Sequence, residues 1–212
     1  MVNLDLFYKR KSVRNYKEGI VPKEDIIKLL EVATEAPSPK HQQNWHFVVV
    51  QNKDVINKIV EVVSKSHEHI ASLIKDEKKA TNYMKLLPYY VNFKDASCVI
   101  LVYAKEYFMI EEKILRENNV SEDIIKVIKS PEAGAQGIGA AVQNILLAAT
   151  EMGYGTCYLT GPSHAKIEIE EIIAFEKPEY TLMSLVSLGI PADETPEKPR
   201  RKPLEEVITF IE

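Results

Sequence analysis

The chain has few of the residues that mark secreted, metal-stapled or membrane-embedded proteins. Only two of its 212 residues are cysteines. Cys98 and Cys157 each sit inside an apolar run, so they read as small buried hydrophobes of a reduced, cytoplasmic protein rather than as a disulfide. Positive charge is not in excess either: 27 lysines and arginines face 31 acids, a formal charge of −4, which argues against a general polyanion binder. The longest nearly apolar stretch, Ile138 to Ala149, is too short for a membrane span and is interrupted by Gln143 and Asn144. The N-terminus lacks the basic-then-apolar layout of a signal peptide. No internal repeat, low-complexity tract or Gly/Ser linker is present. Nor is there a zincin pair: His67-Glu68-His69 has the wrong spacing and reads as a solvated helix. No G-x-S-x-G motif occurs, and neither cysteine has a local basic partner. What is there is 45% hydrophobic residues, enough for one globular domain over 1–212.

Local patterning predicts alternating helices and strands without regular βαβ units. Pro22, Glu24 and Asp25 open a helix that must stop near Ala36, because Pro37 and Pro39 disfavour helical conformation before them. His46 to Gln51 is a β-branched strand. Asp54 to Ser66 and His67 to Leu87 read as two helices. Ser97 to Ala104 is apolar on both faces, which places it inside a sheet covered on both sides. Weaker helices fall between Tyr107 and Lys129. Gly134 to Met152 is apolar nearly all round, as a fully buried helix would be, with Gly153 as its cap. Strands at Tyr154 to Thr160 and Thr181 to Leu188 flank a helix near Ile169 to Phe175. A Pro-rich basic segment, Pro196 to Pro203, then leads into Leu204 to Ile211, a β-capable run suited to pairing with a sheet edge. The expected fold class is α+β, a mixed and mainly antiparallel sheet with helices on both faces.

Five constellations carry candidate chemistry. Arg10, Ser12 and Arg14 share one side of an extended backbone, where two guanidiniums and a hydroxyl suit an oxyanion; a solvated basic turn, including Lys11, fits equally. Pro37, Ser38, Pro39, His41 and Gln43 form a stiff loop rich in polar groups, ending in the sole tryptophan, Trp45, which itself reads as a core anchor. Gly134 to Gly139 imitates a nucleotide loop, but its glycine order is wrong and no strand precedes it, so close helix packing is the simpler reading. Thr160-Gly161 ends a strand in a turn that can aim backbone N–H groups at a ligand. Lys198 to Lys202, with Arg200 and Arg201, is a second basic cluster, which on its own reads as a solvated patch. Acid–base machinery is lacking, which points to a cofactor.

In their order along the chain these motifs resemble the nitroreductase family of FMN-dependent oxidoreductases. The resemblance rests on R-x-S-x-R at Arg10 to Arg14, the Pro37-Ser38 to Gln43-x-Trp45 loop, Gln143-Asn144 followed by Gly153-x-Gly155, and Leu188-Gly189-x-Pro191 followed by Arg201-Lys-Pro203. It implies a homodimer with FMN at the subunit interface and the C-terminal strand exchanged between copies. Arg10, Lys11, Ser12 and Arg14 of one copy would hold the phosphate and ring oxygens, helped by Arg200 or Arg201. Pro37, Ser38, Pro39, His41 and Gln43 would act from the other copy, and Thr160-Gly161 would approach the ring. The implied activity is two-step hydride transfer from NAD(P)H to a nitroaromatic, quinone or related electron-poor acceptor, with no catalytic residue beyond the flavin and no metal. Reductive dehalogenation or flavin fragmentation on the same fold remains an alternative, and a nucleic-acid or regulatory binding module a more distant one. Lys40, His41 and Asn44 depart from the family's usual loop, and 67–93 matches none of its motifs.

Overall fold

The structure, a computed structural model, describes residues 4–192 and 199–212. Its elements are α1 (Asp5–Lys9), β1 (Tyr16–Lys17), α2 (Lys23–Thr34), β2 (Trp45–Val50), α3 (Lys53–Ser72), α4 (Glu77–Met84), α5 (Leu87–Tyr90) and β3 (Cys98–Lys105). They continue as α6 (Ile110–Glu117), α7 (Glu122–Lys129), α8 (Ala133–Glu151), β4 (Gly155–Leu159), α9 (Lys166–Ile173) and β5 (Tyr180–Pro191). β5 is the hub: β1, β3 and β4 all pair with it antiparallel, and β2 pairs antiparallel with β3. The one parallel contact among the described residues is a bridge from Ser12 to Thr156.

β3 explains the two-layered core. Its residues alternate between faces, as strand geometry requires. Cys98, Ile100, Val102 and Ala104 join α2 and α8 in one cluster, while Val99, Leu101 and Tyr103 join α3 and α9 in the other. The fully buried strand foreseen at Ser97 to Ala104 is therefore realised, and both cysteines are buried and free. Burial pushes the Cys98 thiol up to about 12, so it stays protonated.

Three expectations need correction. Residues 54–87 do not break at Ser66. One helix runs through to Ser72, because Ile56, Ile59, Val63, His67 and Ala71 form an unbroken buried stripe at helical spacing. Asn52 caps it, accepting from the backbone N–H groups of Asp54 and Val55. His67 is thus a fully buried member of that stripe, not solvated, whereas His69 is exposed. α8 is not buried all round: Ile138, Ala141, Val142, Ile145, Leu146 and Ala149 face the core, while Gln143 is exposed and a Cβ added to Gly139 would meet nothing within 4 Å. Within one chain Leu204–Glu206 is a 3-10 turn and 204–211 pairs with no strand, its side chains exposed, Ile211 by 97%. Gly153 does end α8, with φ +82° and the Tyr154 N–H donating back to the Ala149 carbonyl at 2.8 Å.

Candidate cofactor site

β4 positions the first set of residues. Ser12 bridges Thr156, and the Val13 N–H donates to the Thr156 carbonyl at 2.8 Å. Val13 is buried against Gly155, where any Cβ would lie 2.7 Å from a Val13 methyl carbon. Only glycine lets the 12–14 segment lie flush on the strand. With Val13 turned inward, alternation leaves Ser12 and Arg14 exposed and Arg10 half-buried. Tyr16 bolts the segment down. Its hydroxyl donates to the Val13 carbonyl at 2.8 Å and lies 2.7 Å from Ser187 Oγ, which must then be the donor of that pair. Burial raises the Tyr16 hydroxyl well above its ordinary range, so it remains a donor.

Arg10, Ser12 and Arg14 all act on one atom, the Cys157 thiol. Burial raises this thiol, while Arg14, a hydrogen bond with Ser12, and Arg10 oppose the rise in that order. The three side chains expected to share a side thus all lie near Cys157, in the middle of β4. At the far end of β4, four residues and about 13 Å from Thr156, stands the Thr160–Gly161 turn. The Ser163 N–H and hydroxyl both donate to the Thr160 carbonyl and wind the turn tightly. Gly161 lies under Tyr90, where a Cβ would stand 2.7 Å from a ring carbon. The Arg14 guanidinium lies 5.9 Å from the centroid of the Tyr89 ring.

The loop between α2 and β2 holds the second set. Lys40, His41 and Gln43 have φ of 50°, 54° and 43°. Each non-glycine residue in that left-handed region costs roughly 1–2 kcal/mol. The loop's own side chains, reaching to distant partners, hold the strained path. Gln42 donates to the Phe108 carbonyl (2.6 Å) and accepts from its N–H (2.9 Å), and Lys40 pairs with Glu111 at 2.8 Å. Within the loop, the Gln43 N–H donates to Ser38 Oγ at 3.1 Å, and His41 Nε2 stands 3.0 Å from Gln43 Nε2. Pro37, His41 and Gln43 are exposed, and Ser38 and Pro39 half-buried. Gly137 makes room for the loop, its notional Cβ 3.1 Å from Pro39 Cδ, and Gly134 does so for Asn44 and Tyr107. These glycines serve packing rather than nucleotide binding, but against loops and not against a neighbouring helix. Trp45 is a buried core residue, also as expected.

One chain does not bring the two sets together. The loop rests on α8 at Gly137, whereas Thr150, near the other end of that helix, lines a cleft of about 450 Å³ with Lys9, Lys11 and Val13. The rise of an α-helix puts these two points about 20 Å apart. Arg200 and Arg201 are exposed, and Arg201 donates locally to the Pro199 carbonyl at 3.0 Å. Residues 196–198 of that basic segment lie outside the described residues. Sequence reasoning missed the aromatic contacts from 67–93, although the Tyr89-Tyr90 pair signalled them. It also missed the Gln42–Phe108 staple, which no local pattern announces. Among the described residues there is no cluster of three or more potential metal ligands, and no helix is long and apolar enough to cross a membrane.

The sequence profile of the Nitroreductase family matches residues 8–190. A BluB-like flavoprotein from Clostridium difficile 630 superposes with a TM-score of 0.94 at 36% identity, covering 100% of both chains. An iodotyrosine deiodinase solved with FMN and 3-iodo-L-tyrosine has a TM-score of 0.71 at 26% identity, covering 97% of this chain and 98% of that one. An NADPH-dependent oxidoreductase from Staphylococcus haemolyticus is 26% identical over 96% of this chain and 70% of its own length.

Proposed function

This chain belongs to the nitroreductase family, and from that premise we propose that it is an FMN-dependent oxidoreductase whose cofactor sites form between two copies. The observation that carries the proposal is the seating of the Arg10–Arg14 segment on β4 through the Ser12–Thr156 bridge, with Arg10, Ser12 and Arg14 all near Cys157 and the Thr160–Gly161 turn at the strand's end. Two guanidiniums and a hydroxyl fit a phosphate dianion, since arginine bonds oxyanions through a planar fork. The donor set thus suits FMN, which when bound supplies two-electron hydride chemistry. Arg10, Ser12 and Arg14, with Lys11 beside them, would hold the phosphate and offset negative charge on the reduced ring. The Thr160–Gly161 turn would offer a backbone N–H to the ring. Pro37, Ser38, Pro39, His41 and Gln43 would come from the second copy, because in one chain they lie at the wrong end of α8. Arg200 or Arg201 would complete the phosphate site, and the exposed apolar run 204–211 would cross to the partner.

NAD(P)H is the proposed hydride source, and a nitroaromatic, quinone or similarly electron-poor molecule the proposed acceptor. Reductive dehalogenation is the second reading, favoured by the likeness to a deiodinase over nearly the whole chain. Protein loaded with excess FMN and desalted should be yellow. Under anaerobic conditions NAD(P)H should bleach it and a quinone or nitroarene should restore the colour. A colourless protein contradicts the FMN proposal. A yellow protein that dithionite bleaches but NAD(P)H does not, and that an iodinated phenol then reoxidises, selects dehalogenation.

A further inference from the structure

Behind the Thr160–Gly161 turn lie two imidazoles whose hydrogen bonds fix which nitrogen carries the proton. His67 is fully buried, and its Nε2 stands 3.0 Å from the Tyr83 carbonyl. A carbonyl only accepts, so Nε2 bears the hydrogen and Nδ1 of the neutral ring is bare. That Nδ1 is buried and has no partner. His164 repeats the arrangement. Ser66 Oγ donates to the His164 carbonyl at 3.2 Å and lies 2.9 Å from His164 Nδ1. The single serine hydrogen is used, so Nδ1–H donates to Ser66 and the bare atom is Nε2, again buried and unpartnered. The two ring centroids are 5.8 Å apart.

This pair sits where three segments meet. The His67 ring stacks on Tyr83 of α4 at 4.2 Å and 10°, and touches Tyr90 of α5 at 4.7 Å. Tyr90 lies 5.4 Å from His164 and covers Gly161. The groups facing the pair are thus Ser66 from α3, Tyr83 from α4, Tyr90 from α5 and Glu168 from α9. Burial and then His67 hold His164 below the ordinary histidine range, and Glu168 opposes them. We propose that His67 and His164 are positioning residues forming a proton-sensitive latch, which holds α4 and α5 against the Thr160–Gly161 turn and loosens on acidification. A proton can enter His164 only at its bare Nε2. A charge on His164 would be buried between the His67 and Tyr90 rings, 5.8 and 5.4 Å away, whereas the opened segment hydrates it. The open form therefore binds protons more readily, and closure weakens as pH falls below the usual histidine value. The latch needs no flavin; its effect on cofactor retention rests on the FMN proposal.

Amide exchange of the full-length protein tests the latch, followed at Leu86, Tyr89 and Val91, whose N–H groups bond within the 83–91 segment. Corrected for intrinsic rates, protection should fall by up to about tenfold per pH unit as His164 takes up its proton, below about pH 6.5. His164→Gln and His67→Gln should flatten that slope. An equal slope in the wild type and in both variants overturns the proposal. Imidazole nitrogen spectra of the wild type give a readout that survives misfolded variants. His67 should carry its proton on Nε2 and His164 on Nδ1, and Ser66→Ala should disturb only the latter. Either opposite tautomer, or an unmoved His164 in Ser66→Ala, overturns it. The slope is read without FMN, so a protein that never binds flavin can still pass or fail.

Discussion

The two halves of the candidate site are built by opposite means. The arginine half is laid along β4 by ordinary strand alternation and sheet bonding, with Val13 as its inward anchor and Tyr16 as its bolt. The loop half runs through three left-handed residues and is held by single side chains reaching from Ser38, Gln42 and Lys40. A segment fixed by backbone pairing tolerates loss of any one exposed side chain. A strained loop does not, since each staple opposes a stored conformational cost. On the FMN proposal, the sheet-borne half would be the fixed anion anchor and the stapled loop the surface facing the ring and the second copy.

Substitutions can break or sharpen this contrast. Gly155→Val should do the most damage, because its Cβ would overlap Val13 and push the 12–14 segment off β4. The expected loss is roughly 1–3 kcal/mol of stability, read from a urea midpoint, together with loss of FMN. An unchanged midpoint would show that the sheet does not fix that half. Arg10→Ala should leave the fold alone but weaken FMN binding by about 1.5–3 kcal/mol, measured by flavin fluorescence titration. Unaltered affinity would remove Arg10 from the phosphate site. Gln42→Ala deletes both bonds to Phe108 and should cost about 1 kcal/mol, with increased exchange of the loop amides and little change on β4. Equal loosening of both halves would deny their independence. Lys40→Ala should have the smallest effect, because its pair with Glu111 is exposed and screened by salt. A melting temperature that moves only at low ionic strength is the expected result.

Much of this was legible from sequence because the relevant signals are local. Alternation exposed Arg10, Ser12 and Arg14 together, two prolines marked the end of α2, and Gly153 marked the end of α8. The order of motifs carried the family. Other features depended on tertiary partners that no local pattern shows. His67 looked solvated because a polar residue at a buried helical position betrays itself only through Tyr83, sixteen residues on. α8 looked buried all round because small apolar residues read alike whether they face a core or an open groove. The left-handed path of Lys40 to Gln43 is paid for by Phe108 and Glu111, far along the chain. The run 204–211 has the composition of a strand, but a strand needs an edge to pair with, and within one chain it finds none.

The central claim is that two copies of the chain are needed to assemble one flavin site. Sedimentation velocity of FMN-loaded, desalted protein, followed at both protein and flavin wavelengths, tests it most directly. Flavin absorbance should travel with a species of twice the monomer mass carrying two FMN. Flavin travelling with a monomer, or a dimer that carries none, would contradict the account.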